Sequence, residues 1–419
     1  MPIGLRSPLS NLLTVSTKSL AITSFLLASS LLSSRVLAED TPPLEQAAPW
    51  FSLQNNLDLP DWIQFSLQTQ AEPMLNPSGG TKQTRNWIQQ TVGSIAIGFG
   101  LKKETKLWSE IDHWRLDTSV NFYNGNPNFN SEIGAYIPLQ QVAHGSGFWL
   151  TQATISRSSG DGLLGIKGGI LSINPDFIYS PIYDYYIHSS LNNTLNLSIN
   201  DMPVNPLAAI GGVVELKPGR DLSMRYGLFD LGSTKPIATS LGVNPQANVG
   251  GDGLVQLLQV SYSPQWLAPA KPGSQLPPGT LQLGGYSTNN GVDGSGINGS
   301  FNFSTGLALG LDHRFWIGSN YSFNSSNNTT PTFISAGFLS QGILTSRPFD
   351  VLILGFGRSG FSPTIAAGQS YEGVIELGYQ FQLNPTLNLQ PAVQWIINPG
   401  GAANTTGIFA TTLQITLNL

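Results

Sequence analysis

Residues 374–401 are VIELGYQFQLNPTLNLQPAVQWIINPGG, and apolar residues occupy every second position through most of this stretch. In its first half these apolar residues are Ile375, Leu377, Tyr379, Phe381 and Leu383. After an Asn-Pro-Thr turn at 384–386, they are Leu387, Leu389, Val393 and Trp395. Successive side chains of a β-strand point to opposite faces. The spacing therefore predicts two antiparallel strands, each with one apolar and one polar face.

The same alternation recurs from residue 61 to the C-terminus, and clusters of Gly, Pro, Asn, Asp or Ser separate the alternating segments. Clear examples lie at 63–68, 95–101, 113–122, 307–315 and 412–419. Apolar residues at helical spacing are rare, which predicts an all-β chain. The connections differ in length. The turn at 384–386 is short, whereas we expect long polar connections at 232–252 and 287–300.

Charged residues are scarce: only 10% of the chain is Asp, Glu, Lys or Arg, whereas an ordinary globular protein has about 25%. The second face of the strands consists mainly of Gln, Asn, Ser, Thr and Gly. A soluble sandwich covers its outside with charges, but a wide membrane pore has a polar lumen and an apolar face toward lipid. A spanning sheet has to close, because an open edge would leave backbone groups unpaired in the bilayer. The pattern therefore predicts a transmembrane antiparallel β-barrel, and the length of the chain suits about 16–18 strands.

The N-terminal residues are typical of an export signal. Residues 1–38 contain Arg6 and Lys18 but no acidic residue, and they end in Val-Leu-Ala, a small-x-small cleavage pattern. The apolar stretch at 19–32 is too short to favour a membrane anchor. We therefore expect a cleaved signal peptide at 1–38, a short periplasmic lead-in at 39–60 and an outer-membrane barrel at 61–419.

Several other chemistries are disfavoured. The chain has no cysteine and its four histidines are far apart, which argues against a metal site. A net charge of −5 disfavours nucleic acid as a partner. The GFGRSG sequence at 355–360 matches a dinucleotide-binding pattern, but Pro363 stands where the helix of that motif would begin. We therefore predict no cofactor, no metal and no catalytic residues.

Tryptophans near the ends of the predicted strands fit the aromatic girdles that mark the two membrane interfaces. They are Trp62, Trp108, Trp114, Trp316 and Trp395. Ordinary packing of a hydrophobic ring is the alternative interpretation for each of them.

Three stretches resemble the carbohydrate-selective porins of the OprB type, in a form similar to those of cyanobacteria. They are GGILSINPDFIYSPIYDYY at 168–186, MPVNPLAAIGGVVELKP at 202–218 and LNLQPAVQWIINPGG at 387–401. The resemblance implies an outer-membrane barrel of about 16 strands and passive, sugar-favouring diffusion of small hydrophilic solutes. It also implies outer-membrane lipid and the barrel-assembly machinery as partners, with a homotrimer as one assembly state. Many cyanobacterial relatives have a surface-layer-homology module before the barrel, for which 39–60 is too short.

Charged residues on the polar face of the strands are the candidate pore-lining and solute-contacting residues. They are Arg115, Asp117, Lys167, Glu215, Arg225, Asp312, Arg314 and Glu376. An ionised Arg or Lys facing the lipid midplane would cost about 2–4 kcal/mol, whereas a water-filled lumen solvates it. A position at a strand end or in an ordinary ion pair is the alternative.

Two loop segments are further candidates. Asp184 lies among the tyrosines of 183–186, and the nearby rings of Phe177 and Tyr179 are candidates for contact with a sugar ring. The proline-containing segment 200–210 is a candidate for folding inward and narrowing the pore. The alternatives are an outward loop for this segment and packing within the loop for the two rings.

Three alternative functions remain at this point. A general or inorganic-ion porin would have the same barrel without a preference for sugar. A barrel enzyme would need a base at the rim, for which His113 and His313 are available without any supporting spacing. A secreted β-protein that binds polysaccharide would not need a membrane.

Overall fold

The computed structural model describes residues 57, 59–60, 62–99, 114–192, 202–240, 251–267, 274–290, 294–304, 312–364, 366 and 368–419. Their strands form one antiparallel sheet. In chain order these strands are β1 (Ile63–Ala71), β2 (Met74–Ser78), β3 (Thr84–Asn86), β4 (Ile88–Phe99), β5 (Trp114–Gly125), β6 (Gly147–Ser158), β7 (Leu164–Leu171), β8 (Ala209–Leu216), β9 (Leu222–Asp230), β10 (Leu254–Tyr262), β11 (Thr280–Thr288), β12 (Ser295–Ser304), β13 (Asp312–Ser322), β14 (Thr332–Gln341), β15 (Val351–Gly360), β16 (Tyr371–Asn384), β17 (Leu387–Ile397) and β18 (Ile408–Asn418). The expected signal peptide at 1–38 and Trp108 lie outside the described residues.

The first and last strands close the sheet into a barrel. β1 pairs with β18 over residues 68–71 and with β4 over residues 63–71. β2 continues β1 after Glu72 and Pro73 and pairs with β18 and β3, so β1 and β2 form one wall strand. β3 and β4 form another, because only Trp87 separates them. The eighteen segments therefore make 16 wall strands, which confirms the predicted closed antiparallel barrel.

The two faces of the wall differ as the alternation requires. In β16, Ile375 and Leu377 are 40% and 46% exposed on the outer surface, whereas Glu376 between them is fully buried inside. In β13, Phe315 is exposed on the outside and Arg314 is buried inside. Apolar side chains thus cover most of the outer wall, as a surface that faces lipid requires, and polar side chains project inward.

The connections at one end of the barrel include several short turns, at 159–163, 217–221 and 385–386. At the other end, residues 126–146 join β5 to β6 and residues 172–208 join β7 to β8. Both of these long connections contribute buried residues to the interior, including Phe129, Ile133, Tyr183 and Tyr186. The barrel is therefore partly filled by its own connections.

One predicted connection is wrong. β11 extends to Thr288 and β12 begins at Ser295, so only residues 289–294 join them instead of 287–300. Residues 295–300 are mostly small and polar, which is typical of a loop. They are nevertheless paired on both sides, with β11 and with β13, and this pairing outweighs their low intrinsic preference for a strand.

Short helices occupy the connections. They are the α-helices Phe129–Ile133, Ser189–Asn192 and Thr234–Ser240 and the 3-10 helices Pro181–Tyr185, Leu231–Ser233, Gln265–Leu267 and Pro399–Gly401. Among the described residues, no helix is both long enough and apolar enough to cross a membrane.

The exposure of the tryptophans is compatible with a girdle position for some of them and excludes it for Trp316. Trp62 and Trp395 are 42% and 58% exposed, and Trp114 is partly exposed at the start of β5. The assignment of Trp316 to a girdle is wrong, because its ring is 1% exposed inside the barrel. Trp316 occupies the inward phase of β13, so the period of the strand, and not the chemistry of the ring, determines which way it faces.

We expect Leu377→Arg to lower the free energy of unfolding by about 2–4 kcal/mol, because it places a charge on the lipid face near the middle of β16. The matched variant Gln380→Arg places the same charge on the inner face of the same strand and should change stability little. Equilibrium unfolding in lipid vesicles, followed by tryptophan fluorescence, measures both. Equal losses in the two variants would contradict the assigned faces.

Candidate functional site

The connection from β7 to β8 crosses the inside of the barrel. Gln282 of β11 donates a hydrogen bond to the carbonyl of Tyr179 (3.1 Å), and Gln390 of β17 donates one to the carbonyl of Tyr185 (2.8 Å). β11 and β17 are six strands apart in the sheet. Residues 179–185 therefore run from one part of the wall to a distant part, and we call them the crossing segment.

A buried carboxylate of the wall holds the chain just after the crossing segment. Glu376 of β16 accepts hydrogen bonds from the backbone N–H groups of Ile187 (2.9 Å) and His188 (2.7 Å). Gln394 of β17 also donates to this carboxylate (2.9 Å). One side chain thus satisfies two backbone donors that would otherwise be buried without partners, and this fixes the path of the connection.

A second glutamate side chain holds the connection between β5 and β6 in the same way, and a third glutamate contributes its backbone carbonyl. Glu372 of β16 is 2% exposed and accepts from the backbone N–H groups of Tyr136 and Ile137, both at 2.8 Å. Glu72, between β1 and β2, is fully buried, and its backbone carbonyl accepts from the side chain of Gln140. Both inward connections are therefore tied to the wall through buried glutamates.

Aromatic packing supports the crossing segment from the other side. The indole N–H of Trp316 donates to the hydroxyl of Tyr186 (2.7 Å), and this hydroxyl donates to the carbonyl of Leu354 (3.0 Å). Gly337 of β14 and Gly355 of β15 leave room for the ring. A Cβ atom at either position would lie 2.2–2.5 Å from an atom of Tyr186, so only glycine fits there.

All eight charged candidates occupy inward positions of their strands. Arg115 and Asp117 form an ion pair at 2.7 Å, with side chains 48% and 19% exposed. Asp312 and Arg314 are also ion-paired but are nearly buried, and Arg314 donates to the carbonyl of Pro277 (2.8 Å). The first pair is open to solvent, whereas the second supports the chain before β11.

Three more candidates hold the beginning of the β7–β8 connection. Lys167 pairs with the Asp176 carboxylate at 2.6 Å, and Arg225 pairs with Glu215 at 2.7 Å. Arg225 also donates to the backbone carbonyl of Asp176 (3.1 Å). The structure thus brings Lys167, Glu215 and Arg225 together around a residue of the connection.

A polar cavity of about 1070 Å³ lies beside the crossing segment, against the wall formed by β1, β4–β6 and β16–β18. Amide, hydroxyl and proline side chains make up most of its lining. Its glutamines include Gln68, Gln70, Gln90, Gln152, Gln380 and Gln414. Among its described lining residues Asp184 is the one acid, there is no Lys or Arg, and none of the eight charged candidates is present. Burial lowers the pKa of His144, which also lines the cavity, to about 4, so this ring is neutral at pH 7.

The loop candidates are divided between the cavity and the interior packing. Tyr179, Asp184 and Tyr185 line the cavity, and the hydroxyl of Tyr179 donates to the Asp184 carboxylate. The proposed contact of Phe177 with a solute is wrong. This ring is 1% exposed and packs edge-to-face on Phe229, with ring centroids 6.2 Å apart.

The segment at 200–210, which the structure describes from residue 202, folds into the barrel. Val204 and Asn205 line the cavity, and Asn205 accepts a hydrogen bond from Asn121 of β5 (2.8 Å). This bond joins the inward segment to the wall and narrows the cavity on that side.

Charge on the polar face of the strands predicts neither of two further groups of functional residues. The lining glutamines lie on the polar phase of the alternation, but the alternation does not distinguish them from the other polar residues of that phase. Glu72 and Glu372 lie at the margins of the alternating segments, and no local pattern distinguishes them from loop residues. Among the described residues, no group of three or more His, Asp or Glu side chains is placed to hold a metal ion.

A closed barrel with an inward connection and a polar cavity defines a porin, a channel for diffusion rather than an enzyme fold. The model of the OprB family of carbohydrate-selective porins matches residues 106–419. The chain therefore belongs to this family of sugar-favouring outer-membrane porins of Gram-negative-type bacteria, and small sugars are the solutes that such a porin passes.

Solved porin structures share the fold. The high-pH structure of Pseudomonas putida OprB is 18% identical with a TM-score of 0.70, and the match covers 87% of this chain and 96% of that chain. The low-pH structure of the same protein is 15% identical with a TM-score of 0.58, covering 90% and 100%. A mutant of Rh. blastica porin is 10% identical with a TM-score of 0.52, covering 85% and 100%. The comparison with curated proteins found no match.

We expect Glu376→Met to speed amide hydrogen exchange at Ile187 and His188 by roughly tenfold or more, because each loses its buried acceptor and an unsatisfied donor costs about 1–3 kcal/mol. Exchange followed by mass spectrometry on the detergent-solubilised barrel measures this. Leu377→Met, on the outer face of the same strand, is the control and should leave both amides protected. Unchanged protection in Glu376→Met would show that the carboxylate does not hold the connection.

Proposed function

We propose that small neutral carbohydrates diffuse passively through the cavity beside the crossing segment, by exchanging weak contacts with its amide and hydroxyl groups. The nearly uncharged lining is the observation that supports this most directly. Amides and hydroxyls both donate and accept hydrogen bonds, as sugar hydroxyls do. Because most of these contacts involve no formal charge, each is weak enough for the solute to leave again.

The lining also offers apolar surface to the faces of a sugar ring. The rings of Tyr179 and Tyr185 and the prolines Pro138, Pro181 and Pro277 border the same cavity as the glutamines. A sugar presents hydroxyls at its edge and C–H groups on its faces, so a mixed lining of this kind suits it. Water and small polyols would pass by the same route.

We also propose that the eight charged candidates serve the pore from the inner wall. Arg115 and Asp117 are the pair most open to a passing solute, since the Arg115 side chain is 48% exposed. Lys167, Glu215 and Arg225 position the start of the β7–β8 connection, and Asp312 and Arg314 position the chain before β11. Glu376 positions the chain after the crossing segment.

For export and assembly we propose the route that the N-terminal pattern suggests. Residues 1–38 would be removed as a signal peptide, residues 39–60 would form a periplasmic lead-in, and the barrel would begin near residue 61. Outer-membrane lipid would contact the apolar outer wall after insertion by the barrel-assembly machinery. A homotrimer is the assembly state that we propose to test by cross-linking in membranes.

A general or inorganic-ion pore is the second candidate function. Asp184 favours it, because a single carboxylate in an otherwise nearly uncharged lining attracts small cations. The two functions predict different effects of sugar on ionic current.

The discriminating test is single-channel conductance of the refolded mature chain in a planar bilayer, with mono- and oligosaccharides added. We expect stable current steps that sugars reduce at millimolar concentration, and faster swelling of proteoliposomes in monosaccharides than in tetrasaccharides. Stable steps that no sugar affects would support the ion pore. The absence of steps from folded, inserted protein would overturn both.

Gln90→Leu should weaken the block by sugar about threefold to tenfold, since one hydrogen bond contributes about 0.5–1.5 kcal/mol and Gln90 lines the cavity. Gln64→Leu is the matched control, because Gln64 is an exposed glutamine of β1 that is not among the lining residues. An equal effect of the two variants on the current block would argue against sugar contact at Gln90.

A further inference from the structure

Asp184 occupies an unusual electrostatic position in the pore. It is exposed to the cavity, and it is the one acidic side chain among the described lining residues, which include no Lys or Arg. The Tyr179 hydroxyl donates to its carboxylate and so holds it toward the cavity. The bonds from Gln282 and Gln390 to the carbonyls on either side keep the crossing segment in place. The carboxylate is therefore a fixed charge beside the path of a solute.

The basic groups that hold the inward chain are paired with other carboxylates. Arg314 is 1% exposed, is ion-paired with Asp312 and donates to the carbonyl of Pro277. Lys167 and Arg225 are paired with the carboxylates of Asp176 and Glu215. No ion pair of Asp184 is found among the described residues, so its negative charge acts on the cavity.

We propose that Asp184 makes the pore discriminate among sugars by charge, favouring cationic amino sugars over anionic sugar acids and sugar phosphates. This deepens the proposed sugar-permeable function and rests on it. A unit charge within about 4 Å of the carboxylate is favoured or disfavoured about fivefold even at the dielectric constant of bulk water. Lower local polarity inside the barrel would increase the effect.

The selectivity should also depend on pH. Enclosure within the barrel raises the pKa of Asp184 to about 6, against the lowering effect of its hydrogen bond from Tyr179. The carboxylate is thus charged above pH 6, and the charge is lost as the pH falls below 6. Outside the strands, the other titratable side chains that line the cavity are Tyr179 and Tyr185, whose pKa values burial raises so that both stay neutral, and His144, whose pKa burial lowers to about 4. The Asp312–Arg314 pair of β13 acts electrostatically on Tyr185.

Two measurements on the reconstituted full barrel test the proposal. Proteoliposome swelling at pH 7.0 compares glucosamine with glucuronate, each normalised to glucose, and the wild type should favour glucosamine at least about fivefold. The reversal potential in a KCl gradient should show a cation preference at pH 7.5 that declines toward pH 5. Asp184→Asn should bring the ratio of swelling rates in glucosamine and glucuronate near one, and it should abolish the pH dependence of the cation preference.

Asp161→Asn is the matched control, because it removes the same charge from an exposed turn between β6 and β7 that is not among the lining residues. It should behave as the wild type. If Asp184→Asn keeps the wild-type ratio of swelling rates in glucosamine and glucuronate, the proposal is overturned and the sugar pore remains.

If glucose does not enter at all, the proposed function fails. The reversal potential then still decides whether Asp184 selects solutes by charge. Should Asp184→Asn not insert, a cation preference of the wild type that stays constant from pH 7.5 to 5 would overturn the proposal.

Discussion

The pore depends on hydrogen bonds between buried glutamates of the wall and backbone N–H groups of the inward connections. Glu376 binds two such groups and Glu372 binds two others, in each case with distances below 3 Å. A backbone donor buried without an acceptor costs about 1–3 kcal/mol, so these acceptors stabilise the inward path of the chain where they stand. Because the crossing segment forms one side of the cavity, the same bonds also determine the cavity's shape.

The chain uses several of its few charges for this internal support. Lys167, Arg225 and Arg314 are paired with acidic partners and also position inward segments. What remains for the solute is a lining of amides, hydroxyls and prolines with one carboxylate. The scarcity of charge in the sequence thus has two consequences. The outer wall has few charges that would be costly in a bilayer, and neutral solutes bind only weakly along the inner path.

The strand faces could be predicted because a period of two leaves only two choices, and lipid on one side decides between them. Leu377 and Glu376 face opposite ways for this reason, and all eight charged candidates lie on inward positions. The chemistry of the Trp316 ring favours a girdle, but its phase in β13 turns the ring inward. The long connection expected at 287–300 was wrong because pairing with neighbouring strands, which no local pattern records, extends β11 and β12.

The sequence by itself determined that the chain is all-β, that its sheet closes, and which side of the strands forms the apolar outer face, because these follow from a local repeat and from the cost of unpaired backbone groups in a bilayer. Only the tertiary structure decided which inward residues meet the solute and which support the connections. Glu376 and Ile187 are 189 positions apart and become neighbours only when the barrel closes around the β7–β8 connection. A local pattern determines which face of the strand a residue occupies. Which residues an inward side chain contacts depends on how distant parts of the chain pack inside the barrel.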